Sequence, residues 1–166
     1  MRLVLSLCIV TLVAMTAKIG FASSVSETVD LIFENREAEC VADVVWVEAR
    51  GENDEGKLAV IEVILNRVYH TEFPSDPCAV IADQKEFQWY GSTKLDRKNN
   101  EWKRALFLAH RALSKNSRKF REKLVKDATF FCAPSIGGCN WHEKASRLCK
   151  VARVGNHNFY SICNKR

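Results

Sequence analysis

The stretch that decides the fold runs from Cys40 to Val68 and reads CVADVVWVEARGENDEGKLAVIEVILNRV. It holds two apolar-periodic runs separated by a polar break. In the first, Cys40–Ala49, Val41, Val44, Val45 and Ala49 fall on or near one helical face. Arg50-Gly51-Glu52-Asn53 interrupts it, because glycine commonly ends a helix. Asp54 then caps a longer run in which Leu58, Ile61, Leu65 and Val68 recur at helical spacing. Val60 and Ile64 widen that stripe into the profile of a core helix.

Working outward, residues 25–36 form a leading helix with Ser26 as N-cap. Phe73-Pro74-Ser75-Asp76-Pro77 is a turn, and Cys78–Ala82 a short apolar helix or turn. Residues 84–100 form an irregular surface loop with an aromatic knot of Phe87, Trp89 and Tyr90. Asn100 caps a further helix carrying Trp102, Leu106, Ala109 and Leu113 on one face. A basic stretch, 115–126, reads as a solvated face, with contact to an acidic wall polymer as the alternative. Short β-prone runs follow at 128–131, 151–154 and 157–160, the last two joined by Gly155-Asn156 as a hairpin turn. Helices first and a small antiparallel sheet after them is an α+β layout.

The N-terminus reads MRLVLSLCIVTLVAMTAKIGFA: one Arg, an apolar stretch from Leu3 to Ala17, then small-x-small at Gly20-Phe21-Ala22. That is the pattern of a secretory signal peptide over residues 1–22, with an uncleaved anchor as the alternative. The expected organisation is therefore 1–22 signal, 23–37 lead-in and 38–166 a single domain. The chain has 166 residues, and one domain spans roughly 100–200. Six cysteines remain after Cys8: Cys40, Cys78, Cys132, Cys139, Cys149 and Cys163. An even set in an exported chain implies up to three disulfides, with the pairing left open. Zinc is disfavoured because no C-x2-C pair exists, and no cofactor is called for. The net charge of +5 includes Arg2 and Lys18 with no acid in the first 22 residues, so +3 remains. That is too little for a nucleic-acid protein but favours an anionic polymer such as cell wall.

Glu48 is the sharpest chemical signal. It follows Val44, Val45, Trp46 and Val47, so its carboxyl is expected to be partly desolvated. Desolvation raises a carboxyl pKa and lets it remain a proton donor near neutral pH, as a general acid at a glycosidic oxygen must. A surface charge pair of Glu48 or Glu52 with Arg50 is the plainer alternative. Phe87-Gln88-Trp89-Tyr90 offers aromatic faces for sugar rings and an amide for hydroxyls; plugging a small core is its alternative. Asn156-His157 in the hairpin can orient a substrate or a carboxylate, or serve only the turn.

These clusters in this order resemble the SleB-type cell wall hydrolases, a family that includes spore-cortex-lytic enzymes. The resemblance is carried by EARGE at Glu48–Glu52, GKLAVIEVILNRV at Gly56–Val68 and FPSDPCAVI at Phe73–Ile81. EFQW at Glu86–Trp89, Ala128–Pro134 with Trp141, and VARVGNHNFY at Val151–Tyr160 complete it. It implies a lysozyme-like fold, peptidoglycan as the partner, and Glu48 as catalytic acid/base. It also implies that Arg50, Glu52, Phe87, Gln88, Trp89, Trp141, Asn156 and His157 line the substrate site. The expected reaction is cleavage between N-acetylmuramic acid and N-acetylglucosamine by lytic transglycosylation. Hydrolysis is the alternative, with Glu52 as the nearby second carboxylate and Asp83, Glu86 and Asp96 further off; so is non-catalytic wall binding. An exported monomer is expected, touching membrane only through an uncleaved N-terminus. Cys132, Cys139 and Cys149, Phe131 in place of a frequent Tyr, and the extra Gly137-Gly138 depart from the family pattern.

Overall fold

The computed structural model describes residues 35–83, 87, 89–114, 123–136, 139–140, 145 and 147–163. The expected signal segment and most of the lead-in lie outside these residues, as do Gln88, Glu86, Trp141 and most of the basic stretch.

The first helix, α1, runs over residues 35–48. It is continuous through Arg36–Cys40, so the expected break between a leading helix and a second one does not occur there. No glycine or proline stands between Asn35 and Glu48 to impose one. Ala38, Val41, Ala42, Val44, Val45 and Ala49 are wholly buried, which confirms the apolar face read from the sequence. Gly51 ends the turn after α1 with φ +82, a conformation that costs a residue with a Cβ far more.

α2 spans Asp54–Val68 and its N-cap is Asn53, not Asp54; the Asn53 side chain accepts the Gly56 N–H at 3.0 Å. α3 spans Pro77–Ala82, capped by Asp76, whose Oδ1 accepts the Ala79 N–H. α4 spans Asn100–Leu113, and again the cap is one residue earlier than expected, Asn99 rather than Asn100. Both shifts have one cause. Asn53-Asp54 and Asn99-Asn100 each offer two neighbouring side-chain acceptors, and the extended backbone at the first of each pair decides.

α2 is the central helix. Val60, Ile61, Ile64 and Leu65 meet α1, α3 and α4 in one core, while Ala59 and Val63 meet Val125, Ala128 and Phe159 on the other side. Each fully buried aliphatic side chain here contributes about 1.5–3 kcal/mol relative to exposure. The buried polar residues of α2 have partners: Lys57 bridges to Glu101 at 2.8 Å, and Glu62 accepts the Leu124 N–H. On α4 the buried stripe is Trp102, Ala105, Leu108 and Ala109, with Leu106 and Leu113 only at its margin.

β1 (Phe130–Cys132), β2 (Leu148–Val154) and β3 (His157–Ile162) form an antiparallel sheet in the order β1-β3-β2. A short 3-10 turn, Pro134–Ile136, follows β1, and β2 carries a bulge between Lys150 and Ala152. The β2–β3 turn is Gly155-Asn156, as read from the sequence, with Val154 opposite His157. Three disulfides join Cys40 to Cys78, Cys132 to Cys139, and Cys149 to Cys163.

Candidate functional site

Glu48 sits on the last turn of α1, half-buried. Its Oε1 accepts the indole N–H of Trp89 at 2.5 Å. Trp89 is presented by a self-bonded turn: its carbonyl accepts from Ser92 and Thr93, the Tyr90 N–H returns to Phe87, and Gly91 takes φ +85. Ring edges pack Trp89 against Phe87 and Tyr90. The Tyr90 hydroxyl reaches Cys40 Sγ at 3.7 Å, so this turn is also moored to the disulfide at the start of α1.

Burial pushes the Glu48 carboxyl above the ordinary carboxylate range. The Trp89 hydrogen bond, then the charges of His157 and Arg67, pull it back without cancelling the rise. The cause is the one expected from the apolar run before it: removing a carboxylate from water without an adjacent cation favours the protonated form.

Arg67 was not singled out in the sequence, where it shows only as one charge near the end of an apolar helix. It is 2% exposed, its Nε donates to the Thr129 carbonyl at 2.7 Å, and its guanidinium lies 5.2–5.7 Å from the ring centres of Phe73, Phe87 and Phe130. That cage corrects one expectation. Phe87 is 2% exposed, a member of the main core, and has almost no surface left for a sugar ring. The core-plug alternative holds for Phe87, while Trp89 and Tyr90 keep partial exposure.

Glu52 turns inward. Its side chain is 6% exposed, Oε1 accepts the backbone N–H of Asn156 at 3.0 Å, and His157 Nδ1 approaches the same oxygen at 3.3 Å. His157 packs edge-on against Phe131 and is itself buried. Arg50 is exposed and stacks over the Trp46 ring at 4.2 Å rather than pairing with a carboxylate. Asp96, one of the other carboxylates considered, accepts the Lys98 N–H in its own turn. Thus Glu48, Trp89, Glu52, Asn156 and His157 come together from three parts of the chain, Phe87 lies beneath them, and Arg50 stands apart. Among the described residues no group of three His, Cys, Asp or Glu is arranged to hold a metal ion. Nor is any described helix long and apolar enough to cross a membrane.

The order α1–α4 followed by a three-stranded sheet, with a half-buried acid at the end of the first helix, defines a class of lysozyme-like α+β proteins. The chain belongs to the cell wall hydrolase family, whose model matches residues 51–160. Among solved structures it is similar to the catalytic domain of the germination-specific lytic transglycosylase SleB from Bacillus anthracis. The identity is 24% and the TM-score 0.57, over 75% of this chain and 93% of that one. It is likewise similar to the catalytic domain of the Bacillus cereus SleB protein, at 25% identity and TM-score 0.55, over 75% of this chain and 89% of that one. No curated protein matches.

Proposed function

We propose that this chain cleaves the glycan strands of peptidoglycan between N-acetylmuramic acid and N-acetylglucosamine, with Glu48 as general acid and then base. The observation that carries the reading is the setting of Glu48: half-buried at a helix end, oriented by the Trp89 indole, and raised in pKa by burial. Membership of the cell wall hydrolase family and the likeness to the SleB catalytic domains support it.

Protonated Glu48 gives its proton to the bridging oxygen as the bond from that oxygen to the muramyl C1 breaks. Positive charge spreads over C1 and the ring oxygen in an oxocarbenium-like state. The Glu48 carboxylate left behind takes the proton of the muramyl 6-hydroxyl, whose oxygen closes on C1 to give the 1,6-anhydro product. Glu48 is thereby reprotonated, and one carboxylate completes the cycle. The inward turn of Glu52 favours this ending over hydrolysis, because the Asn156 N–H and His157 already occupy its Oε1.

The test is a digest of purified peptidoglycan by the oxidised chain, with the soluble muropeptides read by mass spectrometry. Products lighter by one water than hydrolysis products, ending in 1,6-anhydro-muramic acid, are expected. Reducing-end muramic acid would replace this reading with a hydrolytic muramidase. Binding without soluble product would replace it with a wall-binding protein.

An extracytoplasmic site of action goes with this substrate and with three disulfides. Residues 1–22 then act as the signal. Mass analysis of the exported protein should find Ser23 at its N-terminus, and an intact Met1 would mean a retained anchor.

A further inference from the structure

The loop between α1 and α2 and the β2–β3 turn are built around one carboxylate. A Cβ at Gly155 would stand 2.0 Å from Glu52 Oε2, and one at Gly56 2.8 Å from it, so both glycines are needed for Glu52 to lie where it does. Gly155 also takes φ +54. Into this cradle the turn sends the Asn156 N–H, and the first residue of β3 sends His157 Nδ1. Nδ1 is sealed from solvent and has no aligned hydrogen bond; Glu52 Oε1 at 3.3 Å is the acceptor facing it. Phe131 and Phe159 hold the ring from the sheet. His157 lies near enough to Glu48 for the two side chains to interact electrostatically.

We propose that Glu52 is a positioning residue that holds the proton on His157 Nδ1, so that Nε2 on the far edge of the ring accepts a hydrogen bond from a hydroxyl or acetamide N–H of the glycan beside Glu48. This deepens the reading of Glu48 as acid/base and rests on it. A carboxylate facing one imidazole nitrogen fixes the tautomer and leaves the other nitrogen as the acceptor. The arrangement also gives the second acid of EARGE a task other than attack on the sugar.

Two measurements on the oxidised full chain test it. The long-range 1H–15N spectrum of the histidines should show His157 as the Nδ1–H tautomer in the wild type and a mixture in Glu52→Gln. That variant keeps the acceptor for Asn156 and loses only the charge. On peptidoglycan, Glu52→Gln and His157→Gln should each lower kcat by about 10- to 100-fold with KM moved far less. The double variant should be no slower than the worse single one, because both act through one imidazole. Glu52→Asp should recover part of the loss. An Nε2–H tautomer in the wild type, or penalties that multiply in the double variant, would overturn the inference while leaving Glu48 as the acid. A wild-type chain that releases no glycan product would overturn both.

Discussion

Two of the carboxylates on α1, Asp43 and Glu48, each accept an indole N–H: Asp43 from Trp102 at 2.8 Å, Glu48 from Trp89 at 2.5 Å. The two sites differ in depth and in one partner. Asp43 is 1% exposed and also takes the Arg97 guanidinium at 2.7 Å, with Arg97 continuing to Glu39 and lying 5.6 Å from the Trp102 ring centre. Glu48 has no cation within ion-pairing distance among the described residues; His157 and Arg67 act on it only from further away. Pairing makes the first a fastener between α1 and the loop before α4. The missing cation leaves the second with its burial uncompensated, and so with a proton to give. On the proposed function, the same helix, with the same type of hydrogen-bond donor, yields a structural acid or a chemical one according to whether an arginine is adjacent.

The contrast can be broken most directly at Glu48. Glu48→Gln keeps an acceptor for Trp89 and removes the proton donor, so release of soluble glycan should fall by about 10²- to 10⁴-fold or more. Wild-type turnover in that variant would erase the distinction between the two acids. Asp43→Ala should do the reverse. It strips a partner from Arg97 and from the buried Trp102 N–H, and should cost about 2 kcal/mol of stability. Thermal melting would record that loss, while turnover per folded molecule stays near wild type. A large drop in turnover without a change in melting would place Asp43 in the chemistry.

Smaller effects sharpen the comparison. The Trp89 bond favours the charged form of Glu48, so Trp89→Phe raises that carboxyl further. The alkaline limb of the kcat/KM profile should therefore move to higher pH, along with a loss of rate of several-fold as orientation is relaxed. A limb that moves down would reverse the assigned sign. The smallest effect is on stability. A carboxyl raised on folding contributes stability that is fully present below its unfolded value and is lost as pH rises through its folded one. At neutral pH the buried Glu48 carboxylate is thus a burden, and Glu48→Gln should melt above the wild type. The gap should close by about pH 4, near the unperturbed carboxyl value. A gap that widens on acidification would contradict the direction of the shift.

Much of the helical half was legible because it rests on local rules. Gly51 marked the end of α1, and the six-residue apolar stripe of α2 its place at the centre, while α3 starts at Pro77, one residue before the expected Cys78. The caps at Asn53 and Asn99 were displaced by one residue because adjacent polar side chains compete for the same role. At the site, Glu48 was visible as an acid ending a valine-rich run, but its partner was not. Trp89 is 41 residues away and reads as a sugar-stacking ring, with nothing local to show that its N–H also reaches the acid. Phe87 drew the same reading and proved to be part of the cage around Arg67. Glu52 and Asn156 lie 104 residues apart, and no local pattern joins them. What stayed hidden was tertiary: which polar atom faces which across the core.

The disulfide framework has a consequence for how the chain acquires its fold. The six described cysteines pair in strict order along the sequence, 40 with 78, 132 with 139, and 149 with 163, with no bond enclosing or crossing another. A chain delivered N-terminus first can close each bond between the two cysteines most recently delivered. An oxidant that joins neighbours as they emerge makes the native set without reshuffling, and the yield of active protein should not depend on a disulfide isomerase.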